Sequence, residues 1–458
     1  MRSVDKVSVL GGGGVRVPLL LHGLLRRTKD LGLEEIVLYD LRQDRAALMA
    51  ALGEAMGRDL GGGARIRVAD GLDEALEGAA FAFSAIRTGG AEGRILDERI
   101  PLRHGLIGQE TTGMGGMSMA LRTIPVVLDV AERLERLAPK AWLLNFTNPS
   151  GLIVEALHEE GHGRVVGLCD APSGLKGDLC RHLGLAEEHV SLGYQGLNHL
   201  GWVQSVRIGG VDGLPALLEG AGDLCRGVRS LGFFGPELIQ SLGLLPNEYL
   251  YYFYFRRRAL ERELSLERTR GEMVRDWNER LYAEVWAALE QGDPGAALAR
   301  YREVLAERRN SYMSEVTRTE HDRGITRDTI FAEEGYEGLA LRVMTALSGL
   351  GDADLQLNVP SRGVSDILDP EEVGELSCDV DRHGAHPRPA PPLPLGARSL
   401  VRAVKDYERL TVRAAVHGDR SAALQAASAH PLIGDRDAAA ACLDELLEAH
   451  RPYLPRFH

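Results

Sequence analysis

The 458-residue chain is poor in cysteine, short of positive charge and free of long apolar runs, and each shortage excludes a class of protein. Its five cysteines, an odd number scattered at positions 169, 180, 225, 378 and 442, form no disulfide framework and fit a reducing compartment. The opening Met-Arg-Ser-Val-Asp-Lys-Val lacks the apolar core of an export signal, and nowhere do about eighteen apolar residues follow one another. A cytoplasmic protein is expected. With 53 Lys and Arg against 66 Asp and Glu, the net charge of −13 argues against nucleic acid or an anionic membrane as partner. An anionic ligand would need a local basic pocket. Internal repeats, low-complexity tails and zinc-finger spacings are also missing. What remains is an ordinary globular composition, 44% hydrophobic and 26% charged, in a chain long enough for two lobes.

The first hundred residues carry a nucleotide pattern. A β-prone run at 7–10 leads into Gly11, Gly12, Gly13 and Gly14, then Val15 and Arg16, then a helix-like apolar segment at 17–25. Strand, side-chain-free turn and helix N-terminus together make a pyrophosphate cradle, although Arg16 stands where the third glycine of G-x-G-x-x-G belongs. A second strand at 36–39 ends in Asp40, which suits two ribose hydroxyls and disfavours a 2′-phosphate, so NAD is expected over NADP; helix capping is its plainer use. A third strand candidate at 81–86 runs into Arg87, Gly89, Gly90 and Arg94, side chains that suit an anionic or polyhydroxylated ligand or ordinary surface ion pairs. The polar, glycine-rich stretch 107–116 reads as a loop, with a helix from Met117. A strand at 142–144 ends in Asn145 and Asn148, amides able to serve sugar hydroxyls or simply to turn the chain before Pro149.

The run 165–172, Val-Val-Gly-Leu-Cys-Asp-Ala-Pro, reads as a buried strand delivering polar groups at its carboxyl end, where open α/β sheets bind ligands. Cys169 there and His199, thirty residues on, offer one divalent metal a soft thiolate and an imidazole nitrogen; packing and structural hydrogen bonding are their commoner uses. Four of the twelve tyrosines crowd into 249–255, a pattern of core or interface in which one tyrosine beside a metal and an arginine can still act as base. Residues 261–321 read as charged helix broken at Asp293-Pro294, with Arg268 and Arg270 near its start. The runs 355–359 and 374–380 suggest a small second sheet, 386–395 is a proline-rich arm, and 398–415 and 436–450 are amphipathic helices.

These motifs, taken in order, resemble glycoside hydrolase family 4, the NAD- and divalent-metal-dependent enzymes typified by 6-phospho-glucosidases. The matching stretches are residues 11–18, 98–102 with 108–111, 120–125, 145–149, 169–172, 196–199, and 379–387 through to Tyr407-Glu408-Arg409-Leu410-Thr411. The fold implied is α/β: a Rossmann-type parallel-sheet domain (residues 1–195) with a second α/β, mainly helical lobe (196–458), of lactate/malate dehydrogenase-like architecture and assembled as a homodimer or homotetramer. Carried over residue by residue, Cys169 and His199 resemble the metal ligands, with Mn²⁺ the expected ion. Arg94 and Asn148 resemble substrate contacts, Arg270 a second substrate arginine, and Tyr249 the base, with Tyr251 and Tyr252 as rivals. The resemblance implies hydrolysis of a glycoside through NAD-dependent oxidation at C3, loss of the C2 proton, elimination, water addition and return of the hydride. It excuses the absence of a paired-carboxylate motif.

Two positions depart from the pattern. Asp170 resembles the proton donor of α-specific members, while 145–149 and the C-terminal third resemble the β-specific branch; Asp170 also suits a helix cap or a support for the metal site. Glu333-Glu334-Gly335-Tyr336-Glu337 stands where phospho-β-glucosidases carry Arg-Gly-Gly-Ala-x-Tyr-Ser, and carboxylates facing a pocket would repel a phosphate. A β-linked, 6-phosphorylated glucoside is the expected substrate. The alternatives are an α-linked or unphosphorylated glycoside, an NAD-dependent hydroxyacid or sugar dehydrogenase, and a silent NAD-binding regulator.

Overall fold

A computed structural model describes residues 4–61, 63–311, 313, 326–327, 329–331 and 335–457. Glu333 and Glu334, and the end of the expected helix at 261–321, lie outside the described residues.

Six parallel strands form one half of the sheet: β1 (Lys6–Leu10), β2 (Glu35–Tyr39), β3 (Arg65–Val68), β4 (Phe81–Ser84), β5 (Trp142–Asn145) and β6 (Val165–Gly167). Their spatial order, β3-β2-β1-β4-β5-β6, is that of a Rossmann fold. Val7, Ser8, Val9 and Leu10 are all buried, because helices cover both faces of a central parallel strand. The order reverses between β1 and β4, and the crevice beyond their carboxyl ends is where this fold places ligands.

The second half adds β7 (Val190–Leu197), β8 (Leu200–Ile208), β9 (Val211–Asp212), β10 (Leu245–Pro246), β11 (Ala353–Pro360), β12 (Val373–Asp381) and β13 (Gly384–Pro387). The strands expected near 355–359 and 374–380 do form, but not as a separate sheet. β11 lies antiparallel to both β6 and β12, and β12 pairs with β7, so a 13-stranded sheet runs unbroken through both halves. β6 is only three residues long and leaves an edge that β11 completes, with Asn358 opposite Gly167. Residue 196 lies inside β7.

Two apolar cores flank the sheet. One gathers around the helices Gly113–Leu137, Ser150–Glu159 and Leu395–His417, the other around Val17–Arg26, Gln43–Leu60 and Tyr336–Leu347. The stretch expected as a loop up to residue 116 turns helical at Gly113, where Gly115 and Gly116 pack against the backbone of Gln109 and Thr111 with no room for a Cβ. By length and composition Gly113–Leu137 is apolar enough to cross a bilayer, yet 78% of its apolar window is buried against the rest of the protein, the mark of a core helix.

Candidate active site

At the end of β1 the chain turns back through the glycine run. Gly11 sits at φ +81°, where a side chain would also press its Cβ to 2.6 Å from the Ala85 carbonyl oxygen. Gly13 is equally constrained, since a Cβ would fall 2.8 Å from that of Arg45. The Gly11 and Gly12 amides donate to Tyr39 O, and the Gly13 amide donates to Asp40 Oδ2 at 2.9 Å. Asp40 thus fixes the loop from the tip of β2 while each carboxylate oxygen keeps lone-pair capacity for a further donor. Arg16 is the N-cap residue of Val17–Arg26, with Val15 buried beside it, so the loop ends on a helix N-terminus. The Arg16 guanidinium reaches Asp170 Oδ2 at 3.3 Å, tying the loop to the tip of β6.

Cys169, just beyond β6, is the buried N-cap residue of Asp170–Leu183. Burial above all, then the charges of Glu375 and Asp170, pushes its thiol well above the usual range. Glu375 on β12 hydrogen-bonds that thiol and also accepts from Tyr194 Oη at 2.9 Å, Asn198 Nδ2 at 3.2 Å and Asn358 Nδ2 at 3.4 Å. The thiol is thereby joined to the β7–β8 hairpin, whose two-residue turn is Asn198-His199.

His199 occupies the left-handed region at φ +64°, a conformation that costs a non-glycine residue about 1–3 kcal/mol and persists where the surroundings enforce it. They do so here. Its Nδ1 is engaged by Thr111 Oγ1 at 3.0 Å, leaving Nε2 as the nitrogen for a metal, and its ring stacks on Tyr249 with centroids 3.8 Å apart and planes 10° from parallel. Burial lowers its pKa to about 4 against the pull of Asp170 and Glu110, so the imidazole is neutral at pH 7, the state a metal requires. The Asp170 charge raises both the Cys169 thiol and the His199 imidazole. Among the described residues no group of three or more His, Cys, Asp and Glu side chains is poised to hold a metal. A thiol and an imidazole fit a divalent cation as two donors of borderline softness that leave coordination positions to other oxygens.

Arg94 and Arg270 meet in a second cavity, lined also by Glu98, Glu110, Tyr252 and Arg268. Arg94 lies between Glu98, at 2.8 Å, and Glu110, at 2.8 Å, and Arg87 reaches Glu110 as well. Burial works against the Glu110 charge, but Arg87 and Arg94 outweigh it and hold the carboxyl below its ordinary range. Arg270 donates to Ser311 Oγ at 2.8 Å and to Arg308 O at 3.2 Å. Burial, then the charges of Arg16, Arg270 and Arg94, push the Arg308 guanidinium below its usual value. Asn148 is half-buried beyond β5.

Of the crowded tyrosines, Tyr249 faces His199, Tyr252 lines the arginine cavity, and Tyr251 packs edge-on against Phe233 and Phe234. Sequence reasoning missed Glu375, Thr111 and Arg308. An isolated Glu within a strand pattern, a Thr in a loop and an Arg on a charged helix carry no local signal. Only β12 pairing with β7 brings Glu375 beneath Asn198, by setting it opposite Gly196.

The family model described as family 4 glycosyl hydrolase matches residues 6–185, and that of the family's C-terminal domain matches residues 194–433. The chain is 31% identical over 463 residues to a probable 6-phospho-beta-glucosidase of Bacillus subtilis, covering 99% of this chain and 98% of the relative. It is 27% identical to 6-phospho-alpha-glucosidase 1 of Lacticaseibacillus paracasei, covering 98% of each. Its structure is similar to the 6-phospho-beta glucosidase from Thermotoga maritima, solved with manganese, NAD⁺ and glucose-6-phosphate, at 28% identity and a TM-score of 0.81 over 98% of this chain and 99% of that one. Malate dehydrogenase from Plasmodium falciparum shares the fold at a TM-score of 0.50 and 11% identity, over 90% and 98% of the two chains.

Proposed function

The chain belongs to family 4 of the glycosyl hydrolases, and from that membership we propose that it hydrolyses β-linked glucosides carrying a 6-phosphate, with NAD and Mn²⁺ as cofactors. The observation that carries this reading is the parallel stack of Tyr249 on His199, which sets a phenol beside an imidazole whose Nδ1 is engaged by Thr111. Residues 1–195 supply the cofactor half and 196–458 most of the substrate half. Five free cysteines, four of them buried, suit the cytoplasm, where the protein works as a homodimer or homotetramer.

When bound, NAD takes up and returns the hydride at the sugar C3 while the metal draws charge from the neighbouring oxygens, so that the net reaction is hydrolysis. Gly11 to Gly14, Val15 and Arg16 hold the pyrophosphate, and Asp40 holds the ribose. Cys169 and His199 would hold the metal. Tyr249 removes the C2 proton, which a ketone at C3 makes acidic. Asp170, ion-paired to Arg16, would serve the departing oxygen as its proton donor. Arg94, Asn148 and Arg270 bind the sugar and its phosphate. Arg94, Arg268 and Arg270 line one cavity, a set of cations that supports a phosphate. Glu337, the described carboxylate of the departing motif, is buried and lies under the charges of Arg309 and Arg16.

The test is incubation with NAD, Mn²⁺ and reductant against chromogenic α- and β-glucosides, each with and without a 6-phosphate. Cleavage of the phosphorylated β-glucoside alone, requiring NAD and metal without net NADH, is expected. Stoichiometric NADH accumulation would instead establish a dehydrogenase, and NAD binding without cleavage of any of the four a regulator.

A further inference from the structure

The glycine loop is held from behind as well as from β2. Two antiparallel helices of the second half, Arg270–Glu290 and Pro294–Asn310, each send one tyrosine to it. Tyr282 Oη donates to Gly13 O at 2.9 Å, and Tyr301 Oη, fully buried, donates to Val15 O at 2.9 Å. Tyr282 is fixed in turn by Arg45, whose guanidinium lies 4.2 Å over its ring and pairs with Glu279 at 2.7 Å. Burial raises both phenols, Tyr282 to about 12, so both hydroxyls keep the proton they donate.

A trans peptide is planar, with its C=O and N–H pointing to opposite sides. A hydroxyl that holds the Gly13 carbonyl therefore steadies the peptide plane whose Gly14 N–H closes the turn onto Gly11 O at 2.9 Å, and one that holds the Val15 carbonyl sets the direction of the Arg16 N–H at the helix start. Glycine-rich backbone has many orientations open to it, and an anion-binding turn works only when its amides are already aimed. The same two helices carry Arg270, which lines the arginine cavity, and Arg308, whose carbonyl accepts from Arg270.

We propose that Tyr282 and Tyr301 are positioning residues for the dinucleotide loop, through which the helix pair bearing Arg270 and Arg308 sets the affinity for NAD. This rests on the NAD-dependent reading above. Each tyrosine acts through the loop's backbone, Tyr282 on the turn closed by Gly14 N–H and Gly11 O and Tyr301 on the Arg16 N–H, and loss of either hydroxyl removes one of the bonds that hold the loop in shape.

Calorimetric titration of the full-length protein with NAD tests the assignment in Tyr282→Phe, Tyr301→Phe and the double variant. Tyr407→Phe serves as control, because it removes a hydroxyl-to-carbonyl bond of the same kind, Tyr407 Oη to Gly113 O at 2.7 Å, away from the loop. The expected result is a Kd for NAD raised about three- to tenfold by each single change and further by both, with the control at wild-type affinity. In turnover the loss is expected in KM for NAD rather than in kcat at saturating NAD. NAD binding at wild-type strength in all three variants, or an equal weakening in Tyr407→Phe, overturns the proposal. Wild-type protein that binds no NAD overturns the functional reading itself.

Discussion

At the scale of single residues, the assignments rest on what each side chain touches. Tyr249 is the one tyrosine of its crowded run placed against His199, so Tyr249→Phe should keep NAD and Mn²⁺ binding and lose about a hundredfold or more in kcat, the contribution of a general base. Wild-type kcat in that variant would return the role to Tyr251 or Tyr252. Asp40 reaches the loop through the Gly13 amide, and Asp40→Ser should narrow the preference for NAD over NADP, read as the ratio of the two dissociation constants. Gly11, Gly13 and Asp40 were legible in the sequence because turn and strand tip are consecutive in the chain. The choice among the three tyrosines was not. Tyr249 lies at the N-cap of the short helix Leu250–Tyr254, and which residue of such a turn meets His199 depends on how the hairpin folds over it.

At the scale of elements, buried ions couple the helices behind the site. Lys405 on Leu395–His417 bonds Glu155 at 2.7 Å, Glu408 at 2.6 Å and Val373 O at 2.7 Å, with all three ionic side chains nearly inaccessible. Lys405→Met leaves two carboxylates without their cation and should cost about 3–5 kcal/mol in urea unfolding. Burial raises Glu408 to about 7 against the pull of Lys405. Between the ordinary carboxylate range and pH 7 the folded state therefore holds a proton that the unfolded state has released, and the Glu408 contribution to stability falls as pH rises through this window. Glu408→Gln should flatten that decline, and an unchanged slope of unfolding free energy against pH would show that other groups set it. The apolar periodicity revealed these helices, with ends within a few residues of those observed, since amphipathic spacing is local. The pairing of Lys405 with Glu155 joins residues 250 positions apart and leaves no trace in periodicity.

At the scale of the whole molecule, a single sheet joins the half that holds the glycine loop to the half that holds His199 and Tyr249. Binding at the shared crevice should therefore stabilise the entire chain: NAD at a hundred times its Kd is expected to add about 2.7 kcal/mol to unfolding, seen as one cooperative shift of the thermal midpoint. Two separate transitions, only one of them moved by NAD, would show that the halves unfold independently. The sequence by itself determined the α/β class, the strand-glycine-helix turn and the family, because each depends on residues close together or on motifs kept in order. Tertiary structure decided that 355–359 and 374–380 extend the main sheet, that Glu375 links Cys169 to the His199 turn, that Tyr282 and Tyr301 brace the glycine loop, and that Arg94 and Arg270 line one cavity. Those outcomes turn on strand pairing and helix packing between segments up to some 290 residues apart, where the free energy of burial and hydrogen bonding, rather than local propensity, selects the partner.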